Sequence, residues 1–129
     1  DIQSAIHSVG LDPFIGYLHT IKYSCPSLAL DLMEEFRPVI VDSVVLKLVN
    51  SQIGNESYFD ISRKRKAVLL TQEGMKNFIH YYEKRVQTKI IHPLDNIKVD
   101  YRRCFELQAR HMERIILGKE QEYQPFLIK

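Results

Sequence analysis

The stretch from His19 to Arg37 holds the residues best able to do chemistry. In a helix advancing about 100° per residue, Asp31 and Glu34 lie roughly 60° apart, and Asp31 and Glu35 about 40° apart. Two carboxylates on one helical face repel unless a cation, a proton or an arginine lies between them. Arg37, three residues after Glu34, offers a plain surface ion pair. The functional reading adds His19, which precedes the helix on a bend and can fold back onto it. One imidazole with one or two carboxylates suits Mg2+ or Mn2+, with water filling the remaining positions. A cation held in this way polarises a phosphoryl oxygen and activates an attacking hydroxyl.

Other chemistry-bearing residues are less organised. His7, His80, His92 and His111 follow no metal-binding spacing and read as surface or partly packed residues. Asp42 sits in the apolar run from Val39 to Val49; burial there requires an Arg contact or a helix-interface hydrogen bond. Arg63, Lys64, Arg65 and Lys66 form a basic turn, and Arg103, Arg110 and Arg114 a stripe on the last helix, where Arg102 and Glu106 can pair. Turn and stripe together can grip a phosphate backbone by charge alone, and the plainer alternative is a solvated surface. No RNA-binding aromatic signature or zinc finger supports base reading. GxGxxG, a P-loop and GxSxG are absent, which argues against nucleotide-cofactor and serine-hydrolase chemistry.

The elements that must position these groups are mainly α-helical. A helix from Asp1 to Val9 ends at Gly10, and a turn-rich segment from Leu11 to Gly16 leads to Tyr17-Leu18-His19 on a bend or short helix. Ser27 can cap a helix through Phe36 whose apolar side is Leu28, Leu32, Met33 and Phe36. Pro38 kinks that helix or starts another, apolar on nearly every side through Val49 and therefore expected at the centre of a core. Tyr58 to Ile61 and Ala67 to Leu70 can pair as one small β-hairpin, the only strand signal. Thr71 can cap a helix to about Gln87 with Met75, Phe78, Ile79 and Tyr82 as its apolar positions. A turn at His92 to Asn96 precedes the last helix, Val99 to Leu117, stopped by Gly118.

Length and charge bound the reading. A chain of 129 residues makes about one domain, and no apolar run reaches the roughly 18 residues of a membrane span. Net charge is +2, but residues 1–62 carry 3 Lys/Arg against 8 Asp/Glu while residues 63–129 carry 15 against 8. An acidic front and basic back suit a protein that binds a cation and a polyanion together. Cys25 and Cys104 are too few for a disulfide framework and read as reduced, intracellular thiols, consistent with a cytoplasmic protein. With no signal peptide and no initiator Met, the chain reads as a piece of a longer protein.

Three ordered segments carry a resemblance: Gly10-Leu11-Asp12-Pro13, Gly16-Tyr17-Leu18-His19, and Ser27-Leu28-Ala29-Leu30-Asp31-Leu32-Met33-Glu34-Glu35-Phe36-Arg37-Pro38. Together they resemble the CRISPR-associated endonuclease/integrase of spacer acquisition, Cas protein one. Leu70 to Gly74, His92-Pro93-Leu94, Tyr101 to Arg110 and the Tyr123 to Ile128 ending are similar to the same family. The resemblance implies a two-lobed protein of which residues 1–129 match the helical C-terminal catalytic lobe and not the β-rich N-terminal lobe. It implies a Mg2+ or Mn2+ site of His19, Glu34 and a Glu from an upstream helix, with Asp31 an accessory acid. No Glu precedes His19 here, so the site within residues 1–129 is expected to be incomplete and the fragment inactive.

The implied chemistry is transesterification or hydrolysis of a DNA phosphodiester, with Lys22 at the attacked phosphate or merely at the surface. The basic residues would hold double-stranded DNA. The implied partners are a second copy through the N-terminal lobe and a small ferredoxin-like protein (Cas protein two). Two alternatives remain: a non-catalytic helical module that binds DNA or a protein, and an unrelated metal-dependent nuclease with a similar acidic/His site.

Overall fold

The computed structural model describes residues 1–16, 25–50, 56–62 and 67–128. Helix α1 spans Ile2–Ser8 and α2 Ser27–Arg37. Ser27 is already inside α2 and does not cap it; the N-cap position falls to Pro26, and the Ser27 hydroxyl turns back to the Cys25 carbonyl at 3.4 Å. Leu28, Leu32 and Phe36 are buried as their spacing predicts, whereas Met33 is exposed.

At Pro38 the expected kink takes a specific form. Proline has no N–H to donate, and its ring crowds the carbonyl one turn back. The chain widens into a π-helical turn, Pro38–Asp42, before α3 resumes at Ser43–Asn50. Such a turn redirects backbone carbonyls. The Val39 carbonyl accepts from the Ser43 hydroxyl at 2.9 Å and from Arg85 Nε at 2.7 Å. Asp42 is exposed and contacts no arginine, so the expected buried partner is absent among the described residues. Nor is α3 central to the core: it buries Val44 and Leu48, while Val45, Leu46 and Val49 stay open. Among the described residues its substantial neighbours are the π-turn and α4, so there a helix apolar all round buries just one side.

A 3-10 turn, Glu56–Tyr58, leads into the expected hairpin, β1 (Phe59–Ser62) and β2 (Ala67–Leu70), antiparallel with Phe59 opposite Leu70. The Thr71 side chain caps α4 (Gln72–Val86) by accepting from the Gly74 N–H at 3.2 Å. Met75 and Ile79 are exposed rather than packed, and α4 instead buries Gly74 and Val86. A second antiparallel hairpin, β3 (Lys89–Ile91) and β4 (Lys98–Asp100), encloses the turn at 92–96 and lacks a sequence counterpart above. Val99 lies in β4, so α5 starts later than expected, at Tyr101–Ile116. Its cap is Asp100, whose carboxylate accepts from the Arg103 N–H at 2.9 Å.

The fold is mainly helical, and its core lies where α1, α2 and α5 meet the C-terminal tail. Phe36 is the hub: its ring meets Phe105 edge-on at 4.8 Å and stacks on Phe126 at 4.5 Å. Among the described residues, no helix is long and apolar enough to cross a membrane.

Candidate functional site

The acids of α2 meet three different environments. Leu28, Leu32 and Phe36 define the buried stripe, and positions three or four residues from them share its direction. Asp31 and Glu35 fall on that stripe; Glu34 falls beside it. Asp31 is accordingly buried, Glu35 half-buried and Glu34 exposed.

Asp31 lies against the stem of the segment that carries His19. Gly16 is so close to α2 that a Cβ there would sit 2.6 Å from the Ser27 Cβ and 2.7 Å from Asp31 Oδ2. The Pro13 carbonyl accepts from the Leu28 N–H at 2.9 Å, and the Ser27 N–H bonds the Cys25 carbonyl at 2.8 Å. The residues on either side of 17–24 are therefore fastened to the first turn of α2. His19 and Lys22 themselves lie outside the described residues, as do Arg63, Lys64, Arg65 and Lys66.

Glu34 forms the ion pair its spacing allows. Arg37 Nη1 lies 3.1 and 3.3 Å from its two carboxylate oxygens, with the side chains 61% and 50% exposed for Arg37 and Glu34. At that exposure the pair contributes about 0.2–1 kcal/mol, too little to lock either partner. Glu34 and Arg37 also line an apolar groove of about 460 Å³ that reaches Asp1, Ile2 and Tyr82.

Glu35 is the acid whose role the sequence reading missed. Its carboxylate accepts from the Tyr123 hydroxyl at 2.5 Å, the Phe126 N–H at 2.7 Å and Gln108 Nε2 at 2.9 Å. It thereby fastens the C-terminal tail over the core. Burial, and then the hydrogen bond and charge of Glu35, push the Tyr123 phenol well above its ordinary value. The available signal was the periodicity: Glu35 is three residues from Leu32 and seven from Leu28, on the apolar stripe.

His92 departs from the expected surface or partly packed position, since its side chain is fully buried. Its Nδ1 lies 2.9 Å from Asp95 Oδ2, and its Nε2 has no hydrogen-bond partner among the described residues. Burial lowers its pKa, and the Asp95 carboxylate partly opposes that shift. Cys25 and Cys104 are free thiols, and burial pushes Cys104 up to about 12. Among the described residues, no group of three or more His, Cys, Asp or Glu side chains gathers as a metal site.

Comparison with known proteins places this chain in a family. The family model for CRISPR associated protein Cas1 matches residues 1–84. The chain belongs to that family. It is 41% identical over 129 residues to CRISPR-associated endonuclease Cas1 3 of Thermus thermophilus, covering all of this chain and 38% of that protein. It is 38% identical to the CRISPR-associated endonuclease Cas1 of Leptospira interrogans, of which it covers 50%. Among solved structures it resembles a casposase bound to an integration product (TM-score 0.83, 25% identity, 99% of this chain and 37% of that one). It also resembles a Cas1 protein from Thermotoga maritima (TM-score 0.79, 32% identity, 92% and 36%). The chain thus spans well under half the length of the first of these curated relatives.

In this Cas1-family chain the basic stripe of α5 is only partly available. Arg103, Arg110 and Arg114 are all exposed, as expected. However, Arg103 pairs with Glu106, and Arg114 Nε lies 2.8 Å from Glu120. Arg102 does not pair with Glu106; it bonds Glu83 at 2.5 Å and reaches Asp1 at 4.0 Å. The side chain of Arg102 leaves α5 toward α4, and Arg103 takes the i+3 partner instead.

Proposed function

We propose that residues 1–129 form the helical catalytic lobe of a metal-dependent DNA endonuclease/integrase, which inserts DNA spacers into a CRISPR array by phosphodiester transesterification. The observation that carries this reading is Asp31 packed on Gly16 at the root of the His19 segment, with Glu34 one turn further along α2 and open to solvent. An imidazole and two carboxylates are hard donors that fit Mg2+ or Mn2+. Within that set His19 and Glu34 are the ligands and Asp31 the accessory acid. A third protein ligand, the family's Glu, comes from outside residues 1–129. Asp1 and Glu34 line one open groove.

When bound, the metal supplies Lewis-acid stabilisation of the attacked phosphate and lowers the pKa of an attacking hydroxyl or water. The chain's own contribution is positional. Asp31, held against backbone that leaves no room for a Cβ, fixes where the loop stem sits. Glu34 is held only by an exposed ion pair and can exchange Arg37 for a cation at small cost. Lys22 and the basic residues Arg63, Lys64, Arg65, Lys66, Arg103, Arg110 and Arg114 would neutralise the DNA backbone. Arg110, which has no carboxylate partner among the described residues, is the freest of the α5 three.

The solved casposase with its integration product, and curated relatives described as endonucleases, support DNA as substrate and an integration-type reaction. A second copy held through an N-terminal lobe and a small ferredoxin-like partner belong to the longer protein.

The test uses the full-length protein. His19→Ala and Glu34→Ala should abolish joining of DNA ends and weaken Mn2+ binding measured by calorimetry, with folding unchanged. Joining that survives either substitution refutes the ligand assignment. Duplex retention that ignores chelator, with no joining in the wild type, favours the non-catalytic binding module instead.

A further inference from the structure

Where α3 runs alongside the end of α4, the two helices enclose a second open cleft, of about 260 Å³. Lys47, Lys84 and Arg85 line it together with the hydroxyl-bearing Ser43, Tyr81 and Thr88, and among the described residues no carboxylate does. Three cations in one depression repel one another, and among the described residues none pairs with an acid. This differs from α5, where Arg103 and Arg114 each have a carboxylate.

The donors are organised by identifiable contacts. The π-turn directs the Val39 carbonyl at Arg85, whose Nε bonds it at 2.7 Å, while Nη2 reaches the Tyr101 hydroxyl at 3.4 Å. A guanidinium carries five N–H groups, so three remain to donate elsewhere. Lys47 Nζ lies over the Tyr81 ring, 5.1 Å from its centroid, which holds its long side chain over the cleft. The Ser43 and Thr88 hydroxyl protons go to backbone carbonyls, at 2.9 and 3.2 Å. They therefore shape the wall, and the donors to a ligand are Lys47, Lys84, Arg85 and the Tyr81 hydroxyl.

Lys84 and Arg85 also occupy the last turn of α4, where basic residues ordinarily answer a helix's own carbonyls. That accounts for neither Lys47, which comes from α3, nor Arg85, which bonds Val39 and Tyr101.

We propose that this cleft is a phosphate-binding site, and that its occupant is a backbone phosphate of DNA. The DNA assignment rests on the function proposed above; the phosphate assignment does not. Compact ammonium donors and a planar guanidinium fork match a tetrahedral oxyanion. The site is separate from α2, so it would hold the duplex away from the reacting phosphodiester.

The experiment has two arms, both on the full-length protein. Amide NMR shifts are followed on adding inorganic phosphate, against sodium chloride at matched ionic strength. Binding of a short mixed-sequence DNA duplex is then measured between about 50 and 200 mM salt, for the wild type and for Lys47→Gln with Lys84→Gln. Arg85 is left intact because it supports the π-turn. The expected result is phosphate-specific shifts at Ser43, Lys47, Tyr81, Lys84 and Thr88, and a log–log salt slope shallower by about 0.9 in the double variant. Over that salt range the variant's affinity should fall about 3- to 4-fold less than the wild type's.

Shifts no larger than chloride produces overturn the site altogether. Phosphate shifts with an unchanged duplex slope overturn the backbone assignment and leave a free phosphate ligand. If the wild type binds phosphate but no duplex, the DNA reading falls and the phosphate site stands. The unfolding midpoint of the double variant should match the wild type's, since both lysines are exposed; a drop would place the lysines in the fold and overturn their role as ligand donors.

Discussion

Of the three acids in α2, Glu35 should matter to stability and Glu34 should not. Glu35→Ala removes the acceptor for three donors: the Tyr123 hydroxyl, the Phe126 N–H and Gln108 Nε2. Hydrogen bonds to a charged group contribute about 1.5–3 kcal/mol each, and bonds sharing one acceptor do not add in full. The loss is also capped, because the tail can let go. Releasing it gives up the Tyr123 and Phe126 contacts and exposes a Phe126 ring whose burial contributes about 1.5–3 kcal/mol. Together these give a destabilisation of about 3–5 kcal/mol, a large part of the stability of a domain this size. At about 3–5 °C per kcal/mol for a chain of this length, the thermal midpoint should fall by about 10–20 °C. Glu34→Ala breaks only a half-exposed ion pair and should move it by no more than about 5 °C. The assay is paired thermal unfolding by circular dichroism, with limited proteolysis of the tail as a local readout. Glu35→Ala should be clipped near Tyr123 to Ile128 and Glu34→Ala should resist. Equal midpoints for the two variants would show that the clasp contributes nothing.

Two further outcomes follow from the same geometry. Gly16→Ala inserts a methyl group against Ser27 and Asp31 Oδ2 and should cost about 1–3 kcal/mol in urea unfolding, while a methyl-tolerant site would show no change. Alkaline pH should loosen the tail. The Tyr123 phenol is raised in the folded state, so its contribution is complete below its ordinary value of 10.0 and is lost as pH climbs above it, by at most about 1.4 kcal/mol per pH unit. Tyr123→Phe should remove that share of the slope. Cys104 begins a similar loss about one unit lower, from its ordinary 9.0, and will still be visible in the variant.

Several local signals hold, although Ser27 does not cap α2, and the long-range ones do not. The caps and stops made of adjacent residues, Thr71 before α4 and Gly118 after α5, lie where short-range chemistry requires them. The second hairpin was invisible because strands of three residues are too short to display alternation, and its first strand runs into the turn containing Pro93. The exposed faces of α3 and α4 were misread for a different reason. Hydrophobic periodicity reports that a face is apolar, whereas burial depends on which neighbour arrives, and among the described residues α3 receives little more than the π-turn and α4. His92 was judged by motif alone, yet its burial comes from packing against Phe126 and His111, which are distant in sequence.

The same distinction decides how the α2 acids divide their work. Spacing put Asp31 within one helical face of both Glu34 and Glu35 and could not choose between them as its companion. The buried stripe makes the choice. Glu35 points with Leu32 and Phe36 and is engaged by partners 73 to 91 residues away, so it is committed to the fold. Glu34 points off the stripe, holds only Arg37 among the described residues and borders an open groove, so of the two it alone is free to exchange its partner for a cation. Asp31 lies between, buried yet touching the stem from which His19 departs. A carboxylate that holds a tail and one that holds a metal cannot be the same residue without coupling metal loss to unfolding. Here the observed clasp on the tail and the proposed metal ligand are neighbours in sequence that face different directions, which is why neutralising Glu34 should silence the proposed chemistry while leaving the fold standing.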